Sequence, residues 1–329
     1  MAAVAAAQPP FFAASAGGHL DLLRVLAPQV LDGAEPVWVT SRTPRGEALR
    51  ADASHVELLP EFGRSPLRAP ANLYAAARLV RKHRPRLVVS SGAGVVAPFC
   101  LLARLFGARL VYVETMARVS SPSRTARLLS KFAVRVVVQW PELAPALPRA
   151  VVCRPTLLEN LRDGEGQDAG SGTFVAVGTH RQPYDRLLGI VTRGVEEGLL
   201  PGPVRAQAGP ARWQVPGAQV RPHLSRDELE AAVRSAAVVV CHGGAGIISS
   251  ALAAGRRPIV VPRRATLGEH VDDHQYQLTR KLADWGLAVV VEDRLTAADV
   301  EAARAPIRVP PALTERPTVA QALRSGLAG

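Results

Sequence analysis

Residues 238–275, VVVCHGGAGIISSALAAGRRPIVVPRRATLGEHVDDHQ, carry the pattern that decides the fold. Ala237 to Cys241 is an apolar, β-branched run of strand length, bounded by the glycine turn His242-Gly243-Gly244-Ala245-Gly246. An alanine-rich helical run follows as far as Ala254, and Gly255 stands where a left-handed residue ends a helix at least cost. A second short strand, Pro258 to Val261, comes next, then a loop through Gly268, Glu269 and His270 to Gln275. Strand, glycine turn, helix and strand in this order form one unit of a parallel α/β sheet.

The first half of the stretch has the physics of an anion site. Glycines let the backbone approach a ligand closely, and the helix mouth behind them offers unpaired N–H groups and a positive dipole end. The same turn also reads as a tight βα connection whose glycines serve packing alone. The second half adds polar side chains at another helix mouth. Asp272 stands at the N-cap position and Gln275 in the first turn of a helix that ends before Gly286. Capping and hydrogen bonding to sugar hydroxyls are both open to Asp272. Two strand-to-helix mouths, one suited to phosphate and one to hydroxyls, describe a nucleotide-sugar pocket.

Composition narrows the alternatives. A chain of 329 residues is natural for two domains, and 48% hydrophobic residues supply packed cores. Aromatic residues are only 5%, too few for a stacking surface that binds single-stranded nucleic acid. The net charge of +12 is nearly all arginine. It suits phosphate-bearing ligands or an anionic membrane, and equally an arginine-favouring genome. Cys100, Cys153 and Cys241 lie in apolar runs without metal-ligand or disulfide spacing, and read as buried thiols in a reducing compartment. The opening MAAVAAAQPP lacks a basic region and is too short for a signal peptide. The apolar region 87–113 is broken by Gly92, Gly94, Pro98, Arg104 and Arg109, so it is not a membrane span.

Elsewhere the strand–turn–helix unit recurs. Phe11 to Ser15 is a strand, Ala16-Gly17-Gly18-His19 its exit, and Leu20 to Leu31 a helix. His19 at that mouth is either a general base or a histidine packing at the helix start. Strands are expected at 37–40, 56–59, 87–90, 110–114 and 134–139. Ser90-Ser91-Gly92-Ala93-Gly94 is a further glycine turn before a helix over 95–106. Glu114 ends its strand at the edge that faces ligand in parallel sheets, which makes it a second candidate base. The loop 120–127 is polar and basic, suited to anions. Residues 72–83 form an amphipathic helix with Leu73, Ala76, Ala77 and Val80 on one face. With Arg64, Arg68, Arg84 and Arg86 its cations make 64–86 a basic surface, read either as peripheral membrane contact or as a solvated face. The polar stretch 160–172 is the best linker. The pattern then restarts, with strands at 174–177 and 204–207, the turn Gly178-Thr179-His180, and helices at 184–198 and 227–235. A strand at 289–291 closes the sheet, and helices follow a threonine cap at Thr296 and over 318–327. The fold class is α/β with two Rossmann-like domains facing across a cleft, mostly parallel: residues 1–160, then 161–317, with the helix 318–329 packing back on the first.

These residues resemble a family. Gly17-Gly18-His19, Ser90 to Gly94, Tyr112-Val113-Glu114-Thr115 and Val138 to Leu143 are similar to the membrane-recruiting subunit of the two-subunit lipid-linked N-acetylglucosaminyltransferase. Val177-Gly178-Thr179, His242 to Gly246, Pro258 to Pro262 and Asp272-Asp273-His274-Gln275 are similar to its donor-binding subunit, and to the C-terminal half of the transferase that makes the peptidoglycan lipid intermediate. The resemblance covers nearly everything from Phe11 to Glu292, with both halves fused.

The resemblance implies an inverting glycosyltransferase of the GT-B superfamily, using a UDP-linked sugar, N-acetylglucosamine or a relative. It implies no cofactor and no divalent metal, and the chain has no Asp-x-Asp metal site. Gly243, Gly244, Ala245 and Gly246, with His242, Gly178 and Thr179, would hold the diphosphate. Glu269, Asp272, His274 and Gln275 would meet sugar or ribose. Gly17, Gly18, Gly92 and Gly94 would line the acceptor side, with His19 or Glu114 as base, and His180 or Arg263 would stabilise the leaving diphosphate. The implied acceptor is lipid-linked or a small molecule, reached from the cytoplasm, on the inner face of the membrane. Two departures stand out: Ser250 replaces the glutamate that relatives use to contact ribose, and the membrane-recruiting subunit's N-terminal transmembrane segment is missing. A transferase acting on a soluble natural product, a sugar-nucleotide epimerase and a non-catalytic binding partner are the competing readings; nucleic-acid binding is not expected.

Overall fold

The computed structural model describes residues 8–63, 66–159, 161, 170–178, 184–211, 213–215, 217–269 and 274–327; of Pro66 and His274 it describes the backbone alone. It divides into two compact units, residues 1–155 with 316–329, and residues 156–315.

In the first unit the chain runs β1 (Phe11–Ala14), α1 (Gly18–Val30), β2 (Val37–Ser41), α2 (Pro44–Ala48), β3 (Val56–Leu59), α3 (Ala69–His83), β4 (Leu87–Gly92), α4 (Ala97–Leu105), β5 (Arg109–Val113), α5 (Arg124–Leu129), β6 (Arg135–Val138) and β7 (Ala150–Val152). The strands pair in parallel in the order β3-β2-β1-β4-β5-β6-β7. Chain order reverses between β1 and β4, so their C-terminal ends open a crevice at the sheet edge where ligands bind in such folds. Phe12, Val89, Val111 and Val113 meet Leu20, Leu23 and Leu26 of α1 in the buried core.

The second unit runs β8 (Thr173–Ala176), α6 (Asp185–Glu196), β9 (Val204–Gln207), β10 (Gln219–Arg221), α7 (Arg226–Ser235), β11 (Val238–His242), α8 (Ala245–Ala253), β12 (Ile259–Val261), α9 (His274–Asp284), β13 (Val289–Val290), α10 (Ala297–Arg304) and α11 (Pro311–Thr314). Its parallel order, β10-β9-β8-β11-β12-β13, repeats the first unit's pattern and places the reversal between β8 and β11. The continuous apolar runs of β8 and β11 suit a sheet covered on both faces. Gly255, at φ +69°, takes the left-handed conformation after α8.

The last helix, α12 (Val319–Leu327), returns to the first unit. Val319 and Leu323 are fully buried there, in the cluster that holds Leu20, Leu23 and Leu26. The units part at residue 156, ahead of the stretch 160–172 read as a linker. The 3₁₀ turn Thr156–Leu158 buries Leu157 and Leu158, and it packs on α8. Most of that stretch, residues 160 and 162–169, lies outside the described residues.

Three sequence readings change. The turn Gly94–Val96 is 3₁₀, and α4 begins only at Ala97. Strands β7 and β10 were not expected; both are three residues long and leave side chains partly exposed, so they lack a buried apolar run. In α3 the buried face is Asn72, Ala76, Leu79 and Val80, while Leu73 is 50% exposed. Asn72 turns inward because its amide donates to the carbonyls of Pro60 and Val95, at 2.8 and 3.0 Å.

Candidate functional site

In the second unit residues expected on the donor side meet where β8 and β11 end. The His242 ring bonds through Nδ1 to the Ala176 carbonyl at 3.2 Å. A Cβ at Gly178 or Gly244 would lie 2.6 or 2.4 Å from that ring, so no side chain fits at either position. Gly178 also has φ +83°. Gly244 occupies the N-cap of α8 without any side-chain cap, which leaves the first-turn N–H groups of Ala245 and Gly246 without a side-chain acceptor, the arrangement that suits an anion. A Cβ at Gly243 would meet Thr279 Oγ1 at 2.8 Å and the Gln275 carbonyl at 3.2 Å, so this turn lies against the first turn of α9. Gln275 is 8% exposed, and its amide oxygen finds no hydrogen-bond partner among the described residues. An orphaned buried acceptor beside a glycine turn suits a ligand hydroxyl. Thr179, His180 and Asp272 lie outside the described residues, as does the His274 side chain.

Two donor-side expectations are corrected. Glu269 is buried, and its carboxylate is paired in fork geometry with Arg186, Nε to Oε1 and Nη2 to Oε2 both at 2.9 Å. It also accepts the backbone N–H of Arg264 at 2.9 Å, so its charge serves the loop. Arg263 is 1% exposed and donates to the carbonyls of Glu269 and Val177, each at 3.0 Å. It is turned into the protein, where its guanidinium holds backbone carbonyls.

In the first unit the matching edge holds a cavity of about 460 Å³, lined by His19, Ala93, Arg118, Ser123, Arg124 and Arg127 among others. Gly17, at φ +142°, is the uncapped N-cap of α1, and nothing lies within 4 Å of a Cβ built at Gly17 or Gly18. His19 is the next residue of α1 and does line the cavity. Its Nδ1 bonds to the Ser91 carbonyl at 2.7 Å, while Ser91 Oγ donates to the His19 carbonyl at 2.9 Å. A carbonyl only accepts, so Nδ1 carries the hydrogen and, in the neutral ring, Nε2 is the basic nitrogen. Burial lowers the His19 pKa; the Ser91 bond opposes this, and the Arg118 charge adds to it. The ring is therefore neutral at pH 7, as a base must be. Gly92 has φ +94°, and a Cβ there would strike Tyr112 Oη at 2.6 Å. Ala93 holds φ +81° with a side chain present, a strained backbone at the cavity wall. A Cβ at Gly94 would meet only Phe62, at 3.8 Å.

Glu114 does not line this cavity. It has no exposed surface, and its carboxylate accepts the backbone N–H groups of Thr115 at 3.0 Å and Ser123 at 2.9 Å. Burial raises its pKa against these bonds. Trp140 Nε1 donates to the Met116 carbonyl at 2.7 Å, and Gln139 to the Glu114 carbonyl at 3.1 Å. Glu114 thus belongs to a buried scaffold beneath the loop 115–123, and no acceptor hydroxyl reaches it. Arg118, which the basic loop read over 120–127 left out, joins the cavity because of that folding. The signal in the sequence was one more arginine two residues upstream.

Comparison with known proteins gives a consistent result. Residues 62–154 match the family model described as oligosaccharide biosynthesis protein Alg14 like, and residues 204–311 match the glycosyltransferase family 28 C-terminal domain. The UDP-N-acetylglucosamine–N-acetylmuramyl-(pentapeptide) pyrophosphoryl-undecaprenol N-acetylglucosamine transferase of Methylococcus capsulatus is 30% identical over 305 residues, covering 85% of this chain and 83% of that one. The UDP-N-acetylglucosamine transferase subunit ALG14 of Yarrowia lipolytica is 29% identical over 130 residues, 36% of this chain and 60% of that one. Among solved structures, MurG of Acinetobacter baumannii superposes with a TM-score of 0.67 at 18% identity, covering 97% of this chain and 99% of that one. The paired parallel sheets, the uncapped glycine turns and these matches place the chain in the GT-B glycosyltransferases: it is a family 28 member, fused to an Alg14-like N-terminal half and related to the pyrophosphoryl-undecaprenol N-acetylglucosamine transferases.

Proposed function

We propose that the protein transfers N-acetylglucosamine from its UDP ester to an acceptor carried on a lipid diphosphate, inverting the anomeric carbon and using no metal ion. The observation that carries this reading is the first unit's cavity, where His19 stands with Arg118, Arg124 and Arg127. A neutral imidazole with a free basic nitrogen takes the proton of the acceptor hydroxyl as its oxygen attacks the anomeric carbon. The bond from that carbon to the diphosphate oxygen breaks, and UDP leaves with the charge. One displacement gives inversion. The N–H groups at the mouth of α8 supply the stabilisation of the leaving diphosphate. The orphaned Gln275 oxygen accepts a sugar or ribose hydroxyl.

Clustered guanidinium groups suit an acceptor that bears phosphate and have no evident use for a neutral natural product. The surface of α3 supports an approach to a lipid carrier. Leu67, just ahead of the helix, and Tyr74 on it are 89% and 73% exposed, and the same segment carries the exposed cations Arg78, Arg81, Arg84 and Arg86. Such a mixture suits peripheral contact with an anionic bilayer. No helix among the described residues is long and apolar enough to cross a membrane.

The test is transfer of labelled N-acetylglucosamine, with and without a chelator, to matched acceptors with and without the lipid diphosphate, preceded by thermal shifts with UDP, dTDP and GDP sugars. Chelator-resistant transfer to the diphosphate acceptor alone is expected. Equal transfer to the phosphate-free acceptor would select the natural-product reading, and donor turnover with no acceptor at all would select an epimerase.

A further inference from the structure

Arg263 sits among the largest fully buried side chains of the molecule, at 1% exposure. Placing a guanidinium there costs several kcal/mol of desolvation, and an apolar side chain of similar size would fill the same space at less cost. The arrangement around it explains what the cation does. From the loop after β12, its Nη2 reaches the carbonyl of Val177, the residue after β8, and its Nη1 returns to the carbonyl of Glu269. In sheet order β8 and β12 are separated by β11, so their ends lie roughly 10 Å apart. Only a long side chain crosses that gap, and only a forked one holds a carbonyl on each side.

The crossing is braced from both directions. The guanidinium lies 4.3 Å from the ring centroid of Tyr184, whose hydroxyl donates to the Val261 carbonyl at the end of β12. Glu269, the loop residue whose carbonyl Arg263 holds, is pinned by the Arg186 fork from the first turn of α6. Arg186 donates also to the carbonyls of Pro262 and Glu292. Between the bridged loops stands the end of β11, whose His242 ring is fixed on Ala176 and fills the space beside Gly178 and Gly244.

We infer that Arg263 is a positioning residue for donor binding: it locks the exits of β8 and β12 across β11, so that the Gly178 turn and the Gly243–Gly246 turn hold one geometry. It acts through the Val177 and Glu269 carbonyls and touches no substrate. The inference rests on the donor reading of the second unit.

The experiment compares the full chain with Arg263→Lys, Arg263→Met and Glu269→Gln by calorimetric titration with UDP and UDP-N-acetylglucosamine, alongside thermal unfolding and separate KM values for donor and acceptor. The donor Kd and KM are expected to rise at least tenfold in both Arg263 variants, with the acceptor KM within twofold of wild type. Lysine keeps the charge and loses the fork, so it should fail to rescue. Glu269→Gln should raise the donor Kd at least fivefold through the unpinned loop. Wild-type donor affinity in Arg263→Lys would overturn the inference, since charge alone would then suffice. If Arg263→Met does not fold, an unchanged donor Kd in Glu269→Gln or Arg263→Lys overturns it equally. Wild-type protein that binds no UDP ligand would instead sink the donor reading on which the inference stands.

Discussion

Ser123 donates its backbone N–H to the buried carboxylate of Glu114 at 2.9 Å, closing the loop that carries Arg118 into the first unit's cavity. Glutamine at position 114 would present an NH₂ group to one of the two N–H donors and leave it unsatisfied, at about 1–3 kcal/mol. Glu114→Gln should therefore raise the acceptor KM while UDP affinity, which the proposed function assigns to the other unit, stays at its wild-type value. Burial raises the Glu114 pKa above its ordinary 4.5, so the folded chain keeps this proton to higher pH than the unfolded chain. The stability linked to the group is complete below pH 4.5 and is lost as pH rises through the raised value. Melting curves from pH 4 to 8 should show wild type losing ground to Glu114→Gln as pH rises; the opposite slope would refute the assignment.

His19→Ala should lower kcat by roughly 10²–10⁴-fold, the range for a general base, with UDP binding intact. Because burial holds the ring below its ordinary 6.5, the acid limb of the wild-type kcat/KM profile should have its midpoint below 6.5 and should vanish in the variant. The same shift has a stability consequence. The unfolded chain takes up this proton first, so as pH falls below 6.5 wild type should lose stability relative to His19→Ala. An unchanged acid limb in the variant would remove His19 from the chemistry.

Gly244→Ala places a methyl group 2.4 Å from His242 Nε2. The ring is held on the Ala176 carbonyl, so either it or the turn must move. Donor affinity should drop at least tenfold, near 1.4 kcal/mol, with the acceptor KM unaffected. Titration with UDP reads the result directly. Gly246→Ala is the control for added bulk, since nothing lies within 4 Å of a Cβ there; its stability should match wild type, and a Gly244→Ala protein with wild-type UDP affinity would show that the turn tolerates displacement.

Leu323→Ala empties a fully buried position in the core that α12 shares with α1. A loss of about 2–5 kcal/mol is expected from denaturant unfolding monitored in the first unit. A loss under 1 kcal/mol would mean that α12 contributes little to that core.

Much of this architecture was legible because parallel strands buried on both faces are unbroken apolar runs. Val238 to Cys241 and Leu110 to Val113 announce themselves, and the glycines after β11 and β4 mark the exits. What escaped depends on partners distant in sequence. Position at the ligand edge of β5 made Glu114 a candidate base, but the N–H of Ser123, nine residues on, draws its carboxylate under a loop. The resemblance implied Arg263 as a stabiliser of the leaving diphosphate; the acceptor that turns it inward is Val177, 86 residues away. Leu73 looked like the inner face of α3 until Asn72 found the carbonyls of Pro60 and Val95. Periodicity reports which residues share a face, and tertiary polar partners choose which face goes in.

Because α12 belongs to the first unit, the second is threaded through it as an insert, and synthesis on the ribosome inherits that order. Domains commonly fold as they emerge, N-terminal first. Here Leu20, Leu23 and Leu26 wait for Val319 and Leu323 while the residues from 156 to 315 are made, an interval of roughly 8–30 s at 5–20 residues per second. The second unit is contiguous and has every residue it needs before the first is complete. The nascent chain should thus mature back to front, with its first unit the last to close and the longest in need of protection from aggregation.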